Sequence, residues 1–207
     1  MAGTTSRELL VATARTYLDE YGLEGLTLRE IARRAGVSHG APLRHFDSLA
    51  ALCSAVATEA FEGLYGAVAD AMATAGDEPR TRLQAAGHAY VRFAVANPGP
   101  YSLMFRPDRC DPTDADLQAA GQAAFAQLLF AVSQAQGAGW HPADHTADLA
   151  AVVWSGVHGV ASLAILGVLD RTVAVNGGDA DLTHLLDLTQ RLLDLPQPSP
   201  TPFGGEP

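Results

Sequence analysis

Residues 26–46 read Leu26-Thr27-Leu28-Arg29-Glu30-Ile31-Ala32-Arg33-Arg34-Ala35-Gly36-Val37-Ser38-His39-Gly40-Ala41-Pro42-Leu43-Arg44-His45-Phe46. Thr27 followed three residues later by Glu30 is the spacing by which a hydroxyl and a carboxylate satisfy the free amides at a helix start. Leu28, Ile31, Ala32 and Ala35 then form one apolar stripe over two turns, and Gly36 suits the left-handed exit of a short helix. Ser38 is placed to cap a third helix over about His39–His45, with Pro42 inside its first turns.

Outward from this stretch, Leu10, Ala14, Tyr17, Leu18 and Tyr21 recur at helical spacing and Gly22 stops them. Ser48 caps a long helix through Leu49, Leu52, Val56, Ala60 and Leu64 to about Ala75. Helices are further expected over Arg80–Ala96, Tyr101–Phe105, Asp114 to about Ala135, Pro142–Leu169 and Leu182–Leu193. The chain is therefore expected to be all-α with about nine helices. Its 38 alanines support that reading, since alanine loses no side-chain entropy in a helix. The expected organisation is a three-helix unit over 1–47, a connecting helix over 48–76 and a helical domain over 77–195. The proline-rich end, 196–207, is expected to be extended and disordered.

Two capped helices joined by a short glycine-bearing turn and packed on a preceding helix match the helix-turn-helix reader of duplex DNA. Ala32 is small where the helices cross. Small residues at the start of the third helix let its backbone approach base edges. The net charge of -10 over 207 residues repels polyanions as a whole, but residues 1–53 hold six arginines against six acids, so the reader is neutral and the remainder carries the acid excess.

This stretch closely resembles the DNA-binding domain of the tetracycline-repressor-like (TetR) family of bacterial regulators, over about residues 5–53. The second half resembles the regulatory domain named for its Trp, His and Gly, here Trp154, His158 and Gly159, preceded by Tyr90 to Phe105. The resemblance implies an all-helical homodimer that binds double-stranded operator DNA and releases it when a small-molecule effector enters the C-terminal core. It implies a DNA-facing set of Thr27, Arg29, His39, Gly40, Ala41, Arg44 and His45, with the two third helices about 34–36 Å apart on a palindromic site. Two positions depart from the family pattern. Leu43 stands where a tyrosine is usual and Leu49 where a lysine is usual, both phosphate contacts. Losing the lysine on both subunits flattens the salt dependence of binding by about 1.8 log units per log unit of salt.

Only 17% of residues are charged, below the roughly 25% usual for soluble domains, and 48% are hydrophobic, so much surface is expected to be covered by a partner copy. In the Pro142–Leu169 helix, Ala147, Ala151, Ser155 and Gly159 lie four apart as a ridge of small side chains that lets another helix approach closely. With Leu182, Leu185, Leu186, Thr189 and Leu193, this ridge is the expected dimer seam. Trp154, His158 and Ser162 lie on a neighbouring face, and with Phe93, Tyr101, Met104, Phe105 and Phe125 form the expected effector pocket, apolar with a few convergent polar groups.

Leu149–Leu169 has 21 residues without formal charge, long enough to cross a bilayer, but its Gly, Ser and His content and lack of basic flanks favour a buried interface helix, and no membrane association is expected. No basic-then-apolar leader is seen at the N-terminus, and the two cysteines have no redox or metal spacing, so a reduced cytoplasmic setting is expected. His141 and His145, with Asp144 and Asp148, could be read as metal ligands. Aspartates at a helix start are equally expected from the helix dipole, so no metal or other cofactor is assigned. There is no serine elbow and no glycine-rich phosphate loop, which argues against an enzyme. The rival reading is a helical interaction or ligand-binding protein that has lost DNA binding.

Overall fold

The computed structural model describes residues 6–169, 171 and 181–192, and these form eight α-helices and one 3₁₀ turn with no strand among them. α1 (Ser6–Tyr21) buries Leu10, Val11, Ala14, Tyr17 and Leu18 on one face, and Gly22 ends it at φ +66°. α2 (Leu28–Arg34) starts at Thr27, whose Oγ1 accepts the Glu30 N–H at 3.1 Å. The reciprocal half of the capping pair is not made, because the Glu30 carboxylate is taken by Arg33 and Arg34 at 2.7–2.8 Å. Ile31 and Ala32 are fully buried where α2 crosses α1, and Gly36 leaves α2 at φ +69°.

The helix expected over His39–His45 is not formed as such. Residues 39–40 are a turn, closed by the Ala41 N–H donating to the Ser38 carbonyl at 2.9 Å, and a 3₁₀ turn follows over Pro42–Arg44. Pro42 is the cause: it has no N–H to return to Ser38, and its ring crowds the carbonyl that an α-helix would bring close. Ser38 thus contributes its backbone carbonyl rather than the expected side-chain cap. The rod is short, and Pro42 and Phe46 fix it by burial.

Ser48 caps α3 (Leu49–Thr74), accepting from the Ala51 N–H at 3.1 Å. α4 (Pro79–Ala96) and α5 (Pro98–Met104) are separated only by Asn97. α5 begins earlier than expected because Pro98 sits at its first position, where a missing N–H costs nothing. α6 (Ala115–Gly137) is capped by Asp114. α7 (Thr146–Ile165) is shorter than the Pro142–Leu169 expectation, with Gly167 turning the chain at φ +62°. α8 (Leu182–Leu192) is the last element described; Leu193 and the proline-rich end lie outside the described residues.

One apolar cluster joins α1, α2, Phe46 and the start of α3, and takes in Leu103 of α5 and Cys110 beyond it. A second joins the rest of α3 to α4, α5, α7 and Leu186 of α8; a third lies among Leu83, α6 and α7. α3 runs through the first two and so couples the reader to the helical body. α8 is tied to α4 by His88 to Asp187 at 3.0 Å and by Gln190 donating to the Gln84 carbonyl at 3.2 Å.

Candidate nucleic-acid interface and ligand cavity

Thr27, Arg29, His39, Gly40, Arg44 and His45 are all exposed, and Ala41 is half-buried. Leu43 stands out with 60% exposure between the buried Pro42 and the exposed Arg44. Arg29 and Arg44 make no ion pair among the described residues. Arg33 and Arg34 are different. Arg33 forks onto Glu30, whose carboxyl the two arginines hold down to about pKa 2 through those hydrogen bonds. Arg34 also reaches Glu20 of α1 at 3.1 Å and lies over the rings of Tyr17 and Tyr21 at 4.7 and 4.4 Å. Arg34 is therefore a fastener between α1 and α2, while Arg29 and Arg44 are the cations the reader holds out.

A cavity of about 370 Å³ lies between α3, α4, α6 and α7. Phe61, Leu64, Val68 and Met72 of α3 line it as one helical stripe, opposite Leu128 and Ala131 of α6. Of the expected effector residues, Phe105, Phe125 and Trp154 line this cavity. Phe93, Tyr101, Met104, His158 and Ser162 do not: Phe93 packs on Gly63, and Tyr101 and His158 stand behind the cavity wall. Tyr90 links the two layers. The Trp154 indole N–H donates to the Tyr90 hydroxyl at 3.3 Å, and the hydroxyls of Tyr90 and Tyr101 lie 2.9 and 2.8 Å from His158 Nδ1 and 3.1 Å from each other. Burial holds His158 below its ordinary pKa and raises those of both tyrosines, so at neutral pH the ring is uncharged and both hydroxyls keep their protons; with one proton on each hydroxyl, Tyr90, Tyr101 and Nδ1 share a single hydrogen-bonded cluster whose donor order the ring tautomer sets. Phe105 meets His158 edge-on at 4.6 Å.

Sequence reasoning missed the α3 stripe and Tyr90. The stripe was visible as helical spacing, but an apolar stripe beside a cavity and one inside a solid core read identically.

Of the expected seam, Ala151 and Ser155 are exposed and Gly159 is half-exposed with open space beyond its Cα. Val152, Leu163 and Leu166 continue that outward strip. On α8, Leu182 and Leu185 are half-buried, Leu186 is buried in the chain's own core, and Thr189 packs on Gly156. α7 is long and apolar enough to cross a membrane by length and composition, yet Val153, Val157 and Ala161 are buried within the chain. His141 pairs with Asp144 at 3.1 Å in the turn before α7, and His145 precedes the first residue of that helix, so the two histidines do not share a helical face.

Residues 83–188 match the model of the tetracyclin repressor-like C-terminal domain, and residues 10–56 match that of the bacterial regulatory proteins of the tetR family. The chain belongs to the TetR family. Among its relatives are the HTH-type transcriptional regulator BetI of Burkholderia thailandensis, 38% identical over 78 residues (38% of this chain, 40% of BetI), and the HTH-type transcriptional activator FasR of Mycolicibacterium smegmatis, 35% identical over 101 residues (49% and 45%). The chain thus spans less than half the length of these curated relatives. A TetR-like fold is shared over 93% of the chain with a protein of unknown function from Rhodococcus sp. RHA1 (95% of that chain, TM-score 0.80, 31% identity). The fatty acid degradation regulator FadR from Bacillus halodurans shares the fold at 14% identity (93% and 96% covered, TM-score 0.71).

Proposed function

We propose that this TetR-family chain is a cytoplasmic, homodimeric, DNA-binding transcriptional regulator, a repressor that leaves a palindromic operator when a small molecule fills the α3–α7 cavity. The observation that carries the reading is the exposed Ser38–His45 rod. Its own fold buries only Pro42 within it and leaves Arg44, His45 and the glycine at position 40 facing outward, and a Cβ at Gly40 would meet nothing in the chain. A glycine that neither the backbone angle nor the packing requires suits a surface that must come close to another molecule, here a major-groove edge.

The proposed division of labour is a reader over 1–47, a connecting helix over 48–76 and a regulatory domain over 77–195. The proposed DNA-facing residues are Thr27, Arg29, His39, Gly40, Ala41, Arg44 and His45. The proposed dimer seam is the outward strip of α7, Ala151, Ser155 and Gly159 with Val152, Leu163 and Leu166, together with α8; Leu186 and Thr189 act there only by holding α8 in place. That pairing covers the apolar side of α7 without a membrane. The family membership favours a regulator over an enzyme, and names such as BetI and FasR, regulator and activator, support transcriptional control while leaving its sign to be measured.

A gel-shift against DNA from the region upstream of the chain's own gene, at low and moderate salt, tests the reading. A discrete, salt-sensitive complex that competitor DNA of unrelated sequence does not remove is expected. Protein that forms a dimer yet shifts no DNA at low salt establishes the rival reading, a ligand-binding module without a DNA target.

A further inference from the structure

The cavity wall bears no Asp, Glu, Lys, Arg or His. Its few polar atoms are largely engaged within the protein. The Trp154 N–H is used by Tyr90, the Tyr90 hydroxyl by Tyr101 and His158, and one of the two Gln127 amide N–H groups by the Tyr65 carbonyl at 3.1 Å. Gln127 Oε1, beside the second N–H, is left as an acceptor with no hydrogen bond among the described residues. Among the described residues, the two arginines of the adjoining grooves are engaged. The adjoining groove, about 290 Å³ and sharing Phe61 and Gly121 with the cavity, contains Arg106, which is held by Asp108 at 2.8 and 2.9 Å. At the other end Arg80 lies over the Trp140 ring at 4.5 Å.

The shape is elongated. Along α3 the lining runs from Phe61 to Met72, about 16 Å at 1.5 Å per residue. Small residues on the facing helices, Ala86, Gly87, Gly121, Ala124 and Ala131, leave the room. An ion placed against this wall loses hydration with no charged partner to replace it.

We propose that the cavity takes an uncharged, elongated apolar molecule, that it excludes carboxylates, phosphates and ammonium ions, and that Gln127 makes the single polar contact by accepting a hydroxyl. This rests on reading the cavity as the effector site.

Trp154 lines the cavity and Trp140 does not, so Trp140→Phe leaves one tryptophan that reports occupancy. Trp140→Phe protein, with unaltered protein as a folding control, is titrated with dodecan-1-ol, dodecyl methyl ether, dodecanoate and dodecylammonium below their micelle concentrations. Expected is saturable quenching by the alcohol and the ether, with the two ions weaker by on the order of a hundredfold. The alcohol should bind about threefold to tenfold tighter than the ether, a preference that Gln127→Leu erases. An ion that binds as tightly as the alcohol, or no saturable binding of either neutral chain, overturns the assignment; an alcohol preference that survives Gln127→Leu overturns the role of Gln127. Operator DNA obtained by in-vitro selection is shifted with the same samples. Neutral chains that bind without changing operator affinity contradict the effector reading and leave the ligand class standing, whereas an intact shift with no chain bound does the reverse.

Discussion

The carboxylate of Asp19 on α1 accepts the backbone N–H of Gly99 in the first turn of α5 at 3.0 Å. At that point the backbones touch: a Cβ on Gly99 would sit inside the main chain of Leu18 and Asp19. Arg15 of α1 also donates to Asn97 Oδ1 just before α5. Two residues on, Tyr101 of the same short helix joins Tyr90 and His158 behind the cavity. α5 thus has the DNA reader at its head and the cavity wall on its side, so a displacement of Tyr90 or Phe105 has a packed route to α1.

Gly99→Ala should therefore force α1 and α5 apart, since backbone cannot yield as a flexible side chain does. The expected loss is about 1–3 kcal/mol in urea unfolding, with weaker operator binding in what remains folded. Ser102→Ala, exposed on the same helix, is the control and should change neither.

Arg34 and Arg44 should separate stability from recognition. Arg34→Ala removes the fastener over Tyr17 and Tyr21 and should lower the melting temperature. Arg44→Ala should leave the melting temperature unchanged and weaken binding to selected and unrelated DNA alike, as a phosphate contact does. A changed site preference for Arg44→Ala would instead assign it to base reading.

The missing cation at the head of α3 has a measurable signature. Leu49 is half-buried against the reader's core, so a lysine there can keep its stem packed and present its ammonium to a phosphate. Leu49→Lys should steepen the slope of log K against log salt by about 1.8 for the dimer. An unchanged slope would mean that this helix start does not meet DNA.

His158 predicts an acid limit. Burial lowers its pKa in the folded chain below the 6.5 it has when unfolded, so the unfolded state binds the proton first as pH falls. Its contribution is complete above about 6.5 and is lost progressively below it. The melting temperature should fall from pH 7 to 5 more steeply for the unaltered protein than for His158→Gln, which retains an acceptor for the tyrosines but does not titrate.

Local chemistry was legible in the sequence wherever neighbours along the chain decide it: the caps at Thr27 and Ser48, the stops at Gly22 and Gly36, and the amphipathic faces of α1 and α2. Pro42 was read as tolerable in a first turn, but with Gly40 two residues earlier the local chain had too little helical preference to absorb it. That Leu186 and Thr189 of the expected seam pack within the chain was hidden for another reason. Leu185, Leu186 and Thr189 are a few residues apart on one helix, and which of them faces the chain's own core depends on how α8 rests on α4 and α7. The cavity needed the same kind of knowledge, since Tyr90, Tyr101 and His158 meet across up to 68 residues.

In-vitro selection from random duplex DNA followed by hydroxyl-radical footprinting is the most direct measurement. The account predicts one enriched, roughly palindromic sequence with two protected patches about 34–36 Å apart, or a whole number of helical turns, and loss of enrichment in His39→Ala with the fold intact. A pool that stays random, or an enriched site with no two-fold symmetry that His39→Ala still selects, would contradict it.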